Sequence, residues 1–284
     1  MLARAVLGGR HPMLRFESMT RDAQLVYRVP RSRRGWELSE ETMPESVVHD
    51  EAVELLKAIL TWWARGRSNT RVARNLAIRW DAEEPRIGVD PDVCVLSPLP
   101  ADYDDLRSVR TWLPGHVPPL LAVEVVSETN PRKDYVIAPD KYAASGTREL
   151  CIFDPLLAGP TSHGGPFLLQ LWQRDEGGRF VRVYAGDGPA YSEAVAGYLV
   201  VVEDGRKLRI AEDERGARPW PTAEDAERAA KETERAAKEA ERAAKEAEQS
   251  ARAAERIAKE EALARLAVWR RSSHVPRKTV ERDA

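Results

Sequence analysis

Cysteine is nearly absent from this chain: of 284 residues, only Cys94 and Cys151 are cysteines. Each lies inside an apolar, strand-like run, as a small buried hydrophobe does, which excludes a disulfide framework and a cysteine-based metal cluster. A reducing cytoplasm suits such a chain. No apolar run approaches the roughly 20 residues needed to cross a bilayer, and the apolar stretch in MLARAVLGGR is too short for a signal peptide. We therefore expect a soluble, unexported protein with no membrane partner. Net charge is also scarce, at −2, which gives no overall attraction to nucleic acid. No second histidine or cysteine stands at ligand spacing from His49, which leaves that residue a surface or helix-start role.

The charge that is present is unevenly placed. Residues 1–36 hold eight arginines against Glu17 and Asp22. Residues 1–35 thus read as a basic, flexible arm, either able to touch phosphates or simply solvated. After Met43-Pro44, the spacing of Val48, Ala52, Leu55, Leu56, Ile59 and Trp63 predicts an amphipathic helix ending by Gly66. The runs 72–80 and 86–96, parted by a turn at 81–85, predict a β-hairpin. Residues 120–126 are apolar on both faces apart from Glu124 and predict a central strand. A helix over 133–145, closed by Gly146, and a buried strand over 149–155 make this a crossover unit. Runs 166–172 and 179–184 around Gly177-Gly178 predict an edge hairpin. The result is an α/β domain over 36–219.

From Thr222 to about Arg271 the composition turns to alanine, glutamate, lysine and arginine, repeating as ERAAKET, ERAAKEA and ERAAKEA. Thr222 and Asp225 form a capping box, and Glu227 to Lys231, Glu234 to Lys238 and Glu241 to Lys245 are favourably oriented pairs. One long helix over 220–272 is expected, with residues 273–284 as a disordered tail. Its alanines form a narrow heptad seam able to zip weakly against a second copy, and Ile257, Leu263, Leu266, Val268 and Trp269 form a stronger apolar patch. A self-supporting single helix is the alternative.

Three carboxylates stand in otherwise apolar surroundings: Asp92 after Pro91, Glu124 within 122–126, and Asp134. A buried carboxylate is costly unless a positive group meets it, and magnesium binds through one or two carboxylates while keeping waters for a phosphate. Such an ion polarises a phosphoryl group and lowers the pKa of an attacking water, and a nearby lysine would stabilise the developing charge. Plainer roles exist for each residue. Asp92 would be a turn or strand-cap residue, Asp134 would cap the following helix, Tyr142 would be a core or cleft-wall aromatic, and Asp154-Pro155 would end a strand.

The order of a proline-aspartate, an apolar strand with Glu124-Val125-Val126-Ser127, then Asp134, Tyr142, Gly146 and a strand ending Phe153-Asp154-Pro155 resembles the Uma-type restriction endonuclease domain family. His49 joins the resemblance, which covers roughly residues 36 to 200. The family lies within the PD-(D/E)xK nucleases, which implies a restriction-endonuclease-like core, a mixed sheet flanked by helices. Carried over, the resemblance makes Asp92 and Glu124 the metal ligands, with the Val125 carbonyl as a further contact. The family's lysine positions hold Val126 and Ala138 here, so Lys141 stands in first and Lys133 second. The implied activity is a Mg- or Mn-dependent DNA endonuclease using Asp92, Glu124, Lys141 and Asp134. The alternative is a catalytically degenerate module that binds DNA or a protein and dimerises through its C-terminal helix. A two-carboxylate glycosidase would want an aromatic-rich sugar cleft that the sequence lacks.

Overall fold

Two periodicities decide the architecture: a helical one in the first element, and runs apolar on both faces in the central strands. The computed structural model describes residues 36–38, 46–161 and 164–272. The basic arm expected over 1–35, Pro44 and the tail expected over 273–284 lie outside them. The chain divides into two compact units, Met1–Ala223 and Glu224–Ala284.

In the first unit, helix α1 (Val47–Trp63) starts at Ser46, whose side chain accepts from the His49 N–H. An accepting side chain there satisfies one of the otherwise orphaned first-turn donors. The helix buries Ala52, Val53, Leu56, Ile59 and Leu60. Each large aliphatic side chain among them contributes about 1.5–3 kcal/mol through removal from water. The strands that follow are β1 (Arg71–Ala73), β2 (Ala77–Arg79), β3 (Val93–Leu96), β4 (Ser108–Arg110), β5 (Leu121–Val125), β6 (Glu149–Phe153), β7 (Leu169–Arg174) and β8 (Phe180–Gly186). Beyond them come β9 (Ala190–Ser192), β10 (Gly197–Val202) and β11 (Lys207–Ala211).

Six of these strands form one mixed sheet in the order β1-β3-β5-β6-β7-β8. Strands β5 and β6 are parallel, as their helical crossover requires, and the other pairs are antiparallel. The α/β character and mixed sheet expected from the sequence are thus what the structure shows. One sheet face carries Leu121, Val123, Val125 and Phe153 against α1 and against Leu199, Leu208 and Ile210 of the three-stranded sheet β11-β10-β9. The other carries Ala122, Val126, Cys94, Leu150 and Ile152 against Ala138, Tyr142, Ala143 and Ile78. By strand alternation, Glu124 belongs to this second face.

Three expectations change in detail. The hairpin over 72–96 forms, but in two pieces: Val72 pairs Val95, and the bridge of Ile78 to Val89 keeps the same register. Between them Asn75 takes φ 51°, and Pro91 has no N–H for the ladder, so pairing stops where Asp92 begins. β2 also pairs in parallel with β4, a strand not anticipated. The helix expected over 133–145 divides into a π-helical turn (Lys133–Ile137) and α2 (Ala138–Ser145). Pro139, inside that run, supplies no N–H and crowds the preceding turn. The closing residue behaves as expected: Gly146 has φ 85°, and an added Cβ would lie 2.9 Å from the Pro118 ring. The sheet β9–β11 was not foreseen. Both cysteines are buried and unpaired in strands. Among the described residues no helix is long and apolar enough to cross a membrane.

In the second unit, α3 (Ala223–Ser272) is a single helix of 50 residues, about 75 Å long at 1.5 Å per residue. Glu227–Lys231, Glu234–Lys238 and Glu241–Lys245 pair at 2.7, 2.6 and 2.6 Å. The alanine stripe through Ala229, Ala236 and Ala243 has Glu232, Glu239 and Glu246 beside it, while Glu227, Glu234 and Glu241 lie on the far face with their lysine partners. The terminal Ile257, Leu263, Leu266, Val268 and Trp269 are all exposed.

Candidate active site

The antiparallel register of β3 and β5 sets Val93 opposite Val123. Continued by one residue, it brings Asp92 opposite Glu124, on the same sheet face. Asp92 lies where the hairpin ladder is interrupted, so its carboxylate rather than its backbone makes the cross-strand bond. Its Oδ2 accepts from the Val125 N–H at 2.7 Å. The same oxygen lies 3.2 Å from His49 Nε2, in the first turn of α1. Glu124 is 1% exposed, and its Oε1 accepts from the Tyr142 hydroxyl at 2.6 Å.

Asp134 enters from the π turn and is 3% exposed. Its Oδ1 has no hydrogen-bond partner, although the Lys133 ammonium stands 3.9 Å away. Burial pushes the Glu124 carboxyl well above its usual range; the charges of Asp92 and Asp134 add to this, while Lys133 and the Tyr142 hydroxyl oppose it. Burial also lifts Asp134 to about 7, against Lys133, the Ser127 N–H and His49. Lys133 shifts in the direction such neighbours require: Glu124 first, then Asp134 and Asp92, hold its proton more firmly. The Tyr142 hydroxyl is raised by burial and then by Glu124, so it remains a donor.

The lysine expected first, Lys141, lies on α2 with its ammonium pulled down by burial; Asp90 and Glu124 oppose that shift and Lys133 adds to it. Val126 and Ala138, which fill the other lysine positions, are both buried in the core of the second face. The structure therefore brings Asp92, Glu124, Asp134 and Lys133 into one electrostatic cluster, with Lys141 at its edge. Sequence reasoning gave His49 a surface or helix-start role; it is buried, which overturns the surface alternative, and it stands at the helix start with its ring against Asp92. Its position on the buried face, three residues before Ala52, was an available signal. Tyr142 is a core aromatic, as expected, with a donor function added. Asp154, read as a strand end, accepts from Tyr135, Ala158 and Gly159.

As a ligand set, two facing buried carboxylates suit a hard cation that retains several waters. Among the described residues, no group of three or more histidine, cysteine, aspartate or glutamate side chains is arranged to hold a metal ion. Any cation here would therefore rely on Asp92 and Glu124, with solvent or substrate completing its shell. The orphaned Asp134 oxygen and the elevated carboxyls are what uncompensated negative charge in a dry site produces.

Residues 31–160 match the family model Uma2, described as "Putative restriction endonuclease". Over these residues the chain is similar to that family. A solved structure that also matches is described as "a putative nuclease belonging to DUF820 from Anabaena variabilis"; it is 12% identical, with a TM-score of 0.39, over 56% of this chain and 78% of that one. No curated protein matches the chain. The Uma2 match takes in His49, Asp92, Glu124, Lys133, Asp134, Lys141 and Tyr142, while β7 to β11 and α3 lie beyond it. The family description supports a nuclease.

Proposed function

We propose that the domain is a Mg- or Mn-dependent DNA endonuclease, with Asp92 and Glu124 as the metal ligands. The observation that carries this reading is the cross-strand placement of two buried carboxylates, Asp92 and Glu124, on one sheet face. A divalent ion bound there would supply Lewis acidity toward a phosphoryl oxygen and a more acidic water. The residues do the rest. Tyr142 holds Glu124 by donating to Oε1, and the Val125 N–H and His49 hold Asp92, so both acids are oriented before substrate arrives. Lys133 and Lys141 are the cations available for a substrate phosphate. In the reaction, water attacks phosphorus, one P–O ester bond breaks, and the leaving alcohol oxygen takes up a proton. Asp134 adds negative charge that keeps Lys133 protonated. The two buried, unpaired thiols suit a reducing compartment, and on that ground we place the protein in the cytoplasm.

The test is cleavage of supercoiled and single-stranded DNA with Mg²⁺ or Mn²⁺, comparing the intact protein with Glu124→Ala. Metal-dependent cleavage lost in the variant supports the reading, and cleavage equal in both overturns it.

A second reading rests on the apolar residues at both family lysine positions, Val126 and Ala138. In it the module has lost catalysis, binds DNA or a protein, and dimerises through α3. It predicts no cleavage under any metal, together with self-association anchored at Leu266 and Trp269.

A further inference from the structure

The π turn after β5 is the least regular part of the site, and its geometry explains how a lysine reaches the acids without standing at either family position. The Ala138 N–H donates to the carbonyl of Lys133, five residues back, so the first turn is wider than an α-turn. Its two leading residues both serve the site: Asp134 is buried there, while Lys133 remains 46% exposed with its ammonium 3.9 Å from Asp134 Oδ1. The turn is tied down from its far side. Tyr135 donates to Asp154 Oδ2 at 2.8 Å and accepts from the Phe167 N–H at 3.0 Å. Its ring lies so close to Gly159 that a Cβ there would overlap it. Asp154 is itself held by the N–H groups of Ala158 and Gly159.

We propose that Lys133, carried by a π turn that Tyr135 anchors to Asp154, supplies the cation that Val126 and Ala138 cannot. The inference rests on the nuclease reading and names the residue that completes its site. A half-exposed ammonium beside buried carboxylates stands where a substrate phosphate would arrive, and it can donate to a non-bridging oxygen while the acids stay dry. Lys141 lacks this placement. Its half-buried side chain feels Asp90 before Glu124. Tyr135 is a positioning residue that acts only through Lys133 and Asp134.

The experiment uses the full chain in five forms: wild type, Lys133→Met, Lys141→Met, Tyr135→Phe and the double variant Lys133→Met with Tyr135→Phe. Mn²⁺ affinity is measured by calorimetry, and plasmid cleavage is measured at saturating Mn²⁺. Removing a cation that competes with the metal should tighten Mn²⁺ binding in Lys133→Met by roughly tenfold, with little change in Lys141→Met. Cleavage should fall about a hundredfold or more in Lys133→Met through kcat, and by only a few fold in Lys141→Met. Tyr135→Phe should lower kcat about tenfold and add nothing further in the Lys133→Met background, a non-additivity that a purely structural role would not give. Equal effects of the two lysine variants on Mn²⁺ binding, or wild-type cleavage by Lys133→Met, would overturn the proposal. A wild type that cuts no DNA while Lys133→Met binds Mn²⁺ more tightly would remove the nuclease reading yet keep Lys133 as the cation of the site. Absence of both cleavage and Mn²⁺ binding would remove both.

Discussion

Raising the pH of the metal-free protein should weaken it, and Asp134 sets the window. The carboxyl of Asp134 rises from its ordinary 3.8 to about 7 on folding, chiefly through burial. Between those values the folded protein keeps a proton that the unfolded chain has released, so unfolding is favoured as the pH climbs. The loss begins near pH 4 and levels off above pH 7. At 1.36 kcal/mol for each pH unit, the rise from 3.8 to about 7 corresponds to about 4 kcal/mol as a ceiling. Glu124, also raised by burial, acts in the same direction. Urea unfolding of the EDTA-treated protein from pH 4.5 to 8.5 reads the slope, and Asp134→Asn isolates the contribution of Asp134. The variant should match the wild type near pH 4.5 and exceed its stability at pH 8 by between about 1 and 4 kcal/mol. Added Mn²⁺ should restore much of the wild-type loss, because a cation then offsets the charge that the proton had neutralised. A difference between variant and wild type that stays constant across this range, or a variant less stable at pH 8, would refute the reasoning.

Other outcomes follow from the packing and the site. Leu56→Ala, in the fully buried face of α1, should cost about 2–5 kcal/mol in urea unfolding. His49→Ala removes a buried partner of Asp92; it should cost about 1–3 kcal/mol and weaken Mn²⁺ binding. Gly159→Ala, whose Cβ would overlap the Tyr135 ring, should destabilise the protein by about 1–3 kcal/mol and slow DNA cleavage at saturating metal. The alanine stripe of α3 buries little area in any pairing, so the full chain should sediment as a monomer between micromolar and tens of micromolar concentrations. Self-association abolished by Trp269→Ala would favour the second reading.

The legible parts of the fold were those written in local pattern. Residues 121–125 and 149–153 are apolar on both faces, which marks central strands whatever they pair with. The spacing of Ala52, Leu56 and Ile59 marks the buried stripe of α1, and the repeat in 223–272 carries its own ion pairs. The unforeseen sheet β9–β11 lacks such a mark: β9 has three residues, and in β10 Tyr198, Val200 and Val202 stay half-buried. β2 and β4, also three residues each, pair in parallel although β3 lies between them in the chain, which no local periodicity reports. Within the site, Asp92 and Glu124 were readable because a charged residue in an apolar run demands compensation. The bonds that arm the site were not readable. His49 meets Asp92 across 43 residues and Tyr135 meets Asp154 across 19, and only the folded chain brings each pair together. The π turn was hidden because the helix expected over 133–145 ran through Pro139, and nothing local to the sequence marks the wider turn that precedes it.

The most direct measurement is plasmid nicking by the full chain in Mn²⁺, run beside Asp92→Asn and Glu124→Gln, which keep size and remove charge. The account predicts nicking by the wild type that EDTA abolishes, with both variants reduced to background while still folded. A wild type that binds Mn²⁺ yet leaves the plasmid intact, or variants that nick as fast as the wild type, would contradict it.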